Sequence, residues 1–289
     1  MTLFVQALIN GLLMGGVYAV YSSGFSLIFG VMNIVNIFHG ELIMIGAFNA
    51  YWVFTLYGID PFLSLPLSMI SVGAMGYVIQ RILINRVVES PPMISYICTF
   101  GVHLILANLA LLLWSADFRT VTTEYSGTGF SLGPITVPIA RFVTFVIAIL
   151  TTFGMYLFLE KTRYGKAIRA ASQDKEMARL VGIDVKAVYA LTFAVGAAIT
   201  GMAGGLLSTY FVIYPQMGLP YTIIAFCVVV LGGMGYIPGA LVGGILLGVI
   251  QSLTATYLNS GLSVAVTFIL LFIILILKPR GIMGKGIVE

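Results

Sequence analysis

Charge is the scarcest commodity in this chain. Lys and Arg number 14, Asp and Glu 10, and together they make up 8% of 289 residues. A soluble domain carries roughly a quarter of its residues as charges, so this composition excludes one. Cysteine is nearly absent too: Cys98 and Cys227 both sit inside apolar runs, which excludes a disulfide framework and leaves them as small packing residues. No GxxxxGK[ST] stretch is present and nothing in the chain has room for a nucleotide domain, so ATP hydrolysis by this polypeptide is excluded. An HExxH metal motif, a nucleophile with a base, and paired Asp in apolar segments are likewise missing, which argues against an intramembrane enzyme and leaves the catalytic and metal sites unassigned.

What is present is apolar surface. Hydrophobic residues form 60% of the chain and mean hydropathy is +1.08. Stretches of about twenty apolar residues, enough to cross roughly 30 Å of hydrocarbon, recur from end to end and predict an all-α polytopic membrane protein with a single domain over 1–289. The apolar segments fall at about 3–21, 22–36, 38–57, 62–85, 93–114, 139–160, 186–212, 219–233, 237–257 and 262–278, which gives about 8–10 spans including short or broken ones. The first lacks a basic n-region and a small-residue cleavage site, so it reads as a retained span.

The net charge of +4 reports orientation here, not nucleic-acid binding. Arg81 and Arg86, the seven basic residues from Lys161 to Lys186, and Lys278, Arg280 and Lys285 mark three regions expected to face the cytoplasm. If all ten segments cross, both termini lie there as well. The 115–138 connection is rich in Thr, Ser, Gly and Pro and reads as the external loop, with a short hairpin over "EYSGTGFSLGPITV".

Two short segments carry unusual chemistry. In "SLIFGVMNIVNIFHGELIMIGAF", Asn33, Asn36, His39 and Glu41 are crowded between apolar runs. Polar groups near hydrocarbon depth usually face a cavity or partner, which makes these four candidates for a substrate pathway. Alternatively Glu41 complements the dipole of a helix that starts nearby, while Asn36 or His39 ties down a bend. His39 and Glu41 are two residues apart and cannot share a helix face, which argues against a metal pair or proton relay. In "VLGGMGYIPGALVGGILLGVI", Gly232, Gly233, Gly235, Pro238 and Gly239 break a helix, and paired interruptions point to a translocation region. The glycine pairs 201/205, 239/243 and 244/248 are spaced for close helix packing.

Eleven of the charged residues lie between Glu160 and Lys186, in "EKTRYGKAIRAASQDKEMARLVGIDVK". Ala167, Ile168 and Ala171, then Met177, Ala178 and Val181, give two short helices a mildly apolar face each. Asp174 suits an N-cap and Gly182 a C-cap. Such a pair lies along the bilayer surface or forms a docking knob for a soluble partner.

The stretches 10–48, 163–206, 230–253 and the closing "KPRGIMG" at 278–284 resemble the membrane permease subunits of branched-chain amino acid ABC importers, a family with relatives that handle urea, amides and aromatic acids. The likeness runs along nearly the whole chain and is weakest in the loop at 115–138. It implies a type II-like ABC importer permease fold in the bacterial cytoplasmic (inner) membrane. It also implies a second related permease subunit, two cytoplasmic ATPase subunits that hold the ATP and Mg, and an external solute-binding protein. The 161–186 loop would then couple to the ATPases through Gly165, Lys166, Ala167, Arg169, Asp174, Met177, Ala178 and Gly182. The competing expectation from another class is a self-contained secondary carrier or channel that uses His39, Glu41 or His103 for protons or ions.

Overall fold

The computed structural model describes residues 1–133 and 135–284; Lys285, one of the three closing basic residues, lies outside them. Among the described residues, seven helices are long and apolar enough to cross a membrane, and the only paired strands form one small hairpin.

The first helix, α1 (Thr2–Met32), joins the two segments expected at 3–21 and 22–36 into a single 31-residue rod of about 46 Å. Ser22, Ser23 and Gly24 do not interrupt it. Ser23 Oγ donates back to the Val20 carbonyl at 2.6 Å, and Gly24 lets the backbone of a later helix approach, with a Cβ there meeting the Gly196 carbonyl at 2.6 Å. The ten-crossing count is therefore corrected, and with it the placement of both termini at one end.

The near end of α1 is fixed by Gln6. Its side-chain amide donates to the Thr136 carbonyl (2.8 Å) and its oxygen accepts from the Thr136 N–H (2.9 Å). Thr136 belongs to the hairpin β1 (Gly129–Leu132) and β2 (Ile135–Pro138), paired antiparallel with Gly129 opposite Pro138. The far end of α1 meets the charged loop: Met32 and Asn33 share a cavity of about 370 Å³ with Glu89, Gln173 and Lys175. The last described residues lie at that charged end too, where the Ile282 and Met283 N–H groups donate to the carbonyls of Leu231 and Gly232. The termini are thus at opposite ends of the bundle, which an odd number of crossings requires.

From Asn33 the chain turns back into α2 (His39–Tyr57), then runs through α3 (Pro61–Ile79), a π turn at Gln80–Ile84, the short α4 (Asn85–Val87) and α5 (Pro92–Trp114). After the hairpin come α6 (Ile139–Lys161), the two small helices α7 (Arg163–Gln173) and α8 (Lys175–Leu180), and α9 (Val185–Leu207). The remainder is a 3-10 turn at Pro215–Met217 followed by α10 (Gly218–Gly232), α11 (Ile237–Tyr257) and α12 (Leu262–Leu277).

Lipid supplies no hydrophobic drive between helices, so close backbone approach must hold them. At the α1/α11 crossing a Cβ on Gly15 would lie 2.6 Å from Ile245 Cα, and one on Gly248 2.5 Å from the Gly11 carbonyl. The 244/248 pair faces α1, whereas Gly239 and Gly243 face α10, so α11 is packed through glycine on two sides.

Candidate functional site

Two crossings are helical over only part of their length. The C-cap of α1, Asn33, adopts the left-handed conformation (φ 53), and the next five residues run back into the bundle without regular structure. Helix α2 begins at His39, level with Tyr21, whose carbonyl accepts from His39 Nε2 at 2.8 Å. Tyr21 is eleven residues, about 16 Å, short of the end of α1, so α2 starts deep inside the protein. From the hairpin end, residues 208–214 turn inward and α10 starts at Gly218.

The two helix starts abut. Gly40 leaves no room for a Cβ against the Gly218 carbonyl, and Gly218 leaves none against the Glu41 carboxylate. Thr222, in the second turn of α10, ties the pieces together: its hydroxyl accepts from Gly40 N–H (2.8 Å) and donates to the Ile37 carbonyl (3.0 Å). Glu41 sits in the first turn of α2, where free amides and the dipole favour a carboxylate. Its Oε1 accepts from His103 Nδ1 on α5 at 2.9 Å.

This junction is buried and incompletely satisfied. Asn36 and His39 are fully buried, and Glu41 is 1% exposed. Glu41 Oε2, His39 Nδ1 and both amide atoms of Asn36 have no hydrogen-bond partner in the described structure. A carbonyl accepts and cannot donate, so the His39 proton is on Nε2 and its bare Nδ1 is the unpartnered nitrogen. The Phe25 ring meets the His39 ring edge-on, with centroids 5.1 Å apart. Buried polar groups left open cluster where a protein has work other than stability.

The candidate pathway residues therefore separate. Asn36, His39 and Glu41 lie at the junction, whereas Asn33 is exposed at the charged end beside Glu89. Gly232, Gly233 and Gly235 form the tight turn between α10 and α11, also at the charged end. There Gly233 (φ 113) packs against Gly284, and Gly235 (φ 78) against Gly30. The partner of the break at 33–38 is thus the turn at 208–217. Its signals in sequence are Pro215, Gly218 and Pro220, which bracket the gap between two apolar runs. Composition gave no hint that His103 would meet Glu41, because the pair closes across 62 residues.

At the charged end, α7 and α8 form a capped knob between α6 and α9. Thr162 accepts from Gly165 N–H (2.9 Å), Asp174 from the N–H groups of Glu176 (2.9 Å) and Met177 (3.0 Å), and Asp184 from Ala187 N–H (3.1 Å). Gly182 follows α8 with φ 85, the left-handed stop expected of it. Ile168, Ala171 and Ala178 are buried, and Gly165 fits tightly against the Leu159 backbone. Lys166 and Arg169 face solvent and Ala167 is half-buried. Tyr164, Met177, Leu180 and Val181 are exposed, Leu180 by 80%. Arg179, on α8, pairs with Glu89 in the turn between α4 and α5 and holds that carboxyl below the usual glutamate range.

Residues 7–277 match the family described as "Branched-chain amino acid transport system / permease component". The high-affinity branched-chain amino acid transport system permease protein BraD of Pseudomonas aeruginosa is 33% identical over 299 residues, covering 99% of this chain and 97% of BraD. LivH of Escherichia coli, a permease protein of the same description, is 32% identical with the same coverage. A probable LivH from Methanocaldococcus jannaschii is 30% identical over 90% of this chain and 86% of its own. No solved structure matches the chain. With nearly its whole length matched, the chain belongs to the family of branched-chain amino acid transport permeases.

Proposed function

We propose that this chain is one membrane-spanning half of an ATP-driven importer for branched-chain or other small neutral amino acids. The observation that carries the reading is the α7–α8 knob. Caps at Thr162 and Asp174 make it stiff, its inner face is buried against the bundle, and its outer face leaves Tyr164, Met177, Leu180 and Val181 uncovered. A surface-lying pair would turn those apolar side chains into lipid headgroups. A coupling element would offer them to a soluble subunit.

In this reading the charged end is cytoplasmic, as the basic residues there demand, so the described C-terminal residues are cytoplasmic and the amino terminus is external. Two ATPase subunits carrying ATP and Mg dock on the knob, a second related permease completes the path, and an external solute-binding protein delivers the cargo. Closure of the ATPase pair pushes the knob against α6 and α9. Helix α9 packs along α2, with Gly204 against the Ile43 backbone, so the push reaches the half-helix junction. Relatives carrying urea, amides or aromatic acids would use the same geometry with a different binding protein.

Asp174→Pro removes the cap of α8 and the Asp174 N–H bond to the Ala170 carbonyl. Growth on limiting leucine is expected to fail with normal expression, and full uptake would sink the coupling role. The Glu41–His103 pair favours a second reading, a proton-linked carrier. Uptake into vesicles driven by a proton gradient without ATP selects that alternative, and purification of the chain with ATPase subunits selects the importer.

A further inference from the structure

At the hairpin end, a cavity of about 310 Å³ opens between the 120–128 loop, the start of α6 and the turn Ser208–Val212. That is the lower range of pockets that hold small ligands. One part of its wall is hydroxylic, with Thr128 and Thr209, and another is apolar, with Val121 and Phe211. One charged side chain lines it, Arg141, and no Asp or Glu does.

Arg141 differs from its neighbour Arg119. Arg119 donates to the Trp114 carbonyl at 2.7 Å and lies over the rings of Tyr51 (5.3 Å) and Trp52 (4.9 Å). Arg141 is half-buried, stacks over the Tyr210 ring at 5.7 Å, and among the described residues makes no ion pair. A guanidinium held by ring stacking keeps its fork of N–H donors, which matches a planar carboxylate. The Ser208–Val212 turn runs on through Pro215–Met217 to the start of α10, so the cavity stands over the segment that leads to Glu41.

We propose that this cavity is an entry subsite for an aliphatic α-amino acid, with Arg141 holding the carboxylate and the Val121–Phe211 wall taking the side chain. The inference rests on the importer reading and adds a residue and a recognised group to it. Because no acid lines the cavity, the ammonium meets only hydroxyl and carbonyl oxygens, and discrimination falls on the carboxylate end.

The test is arginine modification by phenylglyoxal, read peptide by peptide by mass spectrometry on the full chain in membranes, with leucine or leucinamide present. Leucine at twice its Kd is expected to slow modification of Arg141 about threefold, leucinamide to leave the rate unchanged, and Arg119 to be indifferent to both. Equal protection by the two, protection by neither, or an Arg141 that never reacts overturns the subsite. Acetate protecting as well as leucine at equal concentration reduces it to a general anion site and also overturns it. Protection only when the external binding protein is added assigns the carboxylate to a docking protein and overturns it as well. If leucine protects but the assembly shows no ATP-driven uptake, the subsite stands and the importer reading falls.

Discussion

The half-helix junction and the charged knob are built on opposite plans. At the junction, backbone is packed so tightly that Gly40 and Gly218 admit no side chain, yet the polar groups of Asn36, His39 and Glu41 are left partly unpaired. In the knob every helix start is capped, yet large apolar side chains stand in the open. One region is sterically complete and chemically unfinished; the other is the reverse. In the proposed importer the first would offer polar atoms to a passing solute, and the second would offer a stiff surface to the subunit that drives it.

The sharpest way to break this contrast is at Gly40. Gly40→Val forces a side chain against the Gly218 backbone, which cannot rotate away as a flexible side chain would. A loss above about 3 kcal/mol is expected, read as loss of folded protein by size-exclusion chromatography and of uptake. Next is Glu41→Ala, which strips His103 of its buried partner and is expected to destabilise by about 3 kcal/mol in thermal unfolding. Glu41→Gln, which keeps an acceptor, should lose clearly less. If the two variants unfold alike, the Glu41–His103 hydrogen bond is not what holds α5 to α2.

On the knob the effect should be on association, not folding. Leu180→Asp leaves thermal stability within about 0.5 kcal/mol, because the side chain is exposed, but should reduce recovery of ATPase subunits on purification. Unchanged recovery would point the knob at the lipid surface. The smallest effect belongs to Glu89 and Arg179, an exposed pair that salt screens. Arg179 lowers the Glu89 pKa, so the coupling is full above the ordinary glutamate value of about 4.3 and fades as pH falls through the lowered one. A double-mutant cycle with Glu89→Gln and Arg179→Gln at pH 7 and pH 3 reads it.

The same contrast governs what could be read from sequence. The knob is local: Asp174 and Gly182 act on residues within one turn, so two capped helices were legible, as was the hairpin at 129–138 from its glycines and proline. Thr162 belongs to the same class of signal and was available. The junction is not local. The apolar run divides at 21/22 in sequence because nothing nearby shows that Gly196, far along the chain, packs against Gly24. The break at 33–38 was visible as polar residues among apolar ones. The denser glycine run at 232–239 is the more conspicuous candidate for its partner in sequence, yet it turns the chain at the charged end. Glu41 and His103 find each other only in three dimensions.

The interrupted crossings also bear on how the chain is made. Residues 34–38 form no helical ladder at membrane depth, where lipid can supply no hydrogen bonds, and later helices meet their carbonyls: Thr99 of α5 donates to Val35, and the Thr222 hydroxyl of α10, which accepts from Gly40, donates to Ile37. When α2 enters the bilayer, that hydroxyl has not yet been synthesised. The nascent protein must therefore shelter an open segment through seven further helices before α10 arrives to close it, and the slowest step of its biogenesis should lie there.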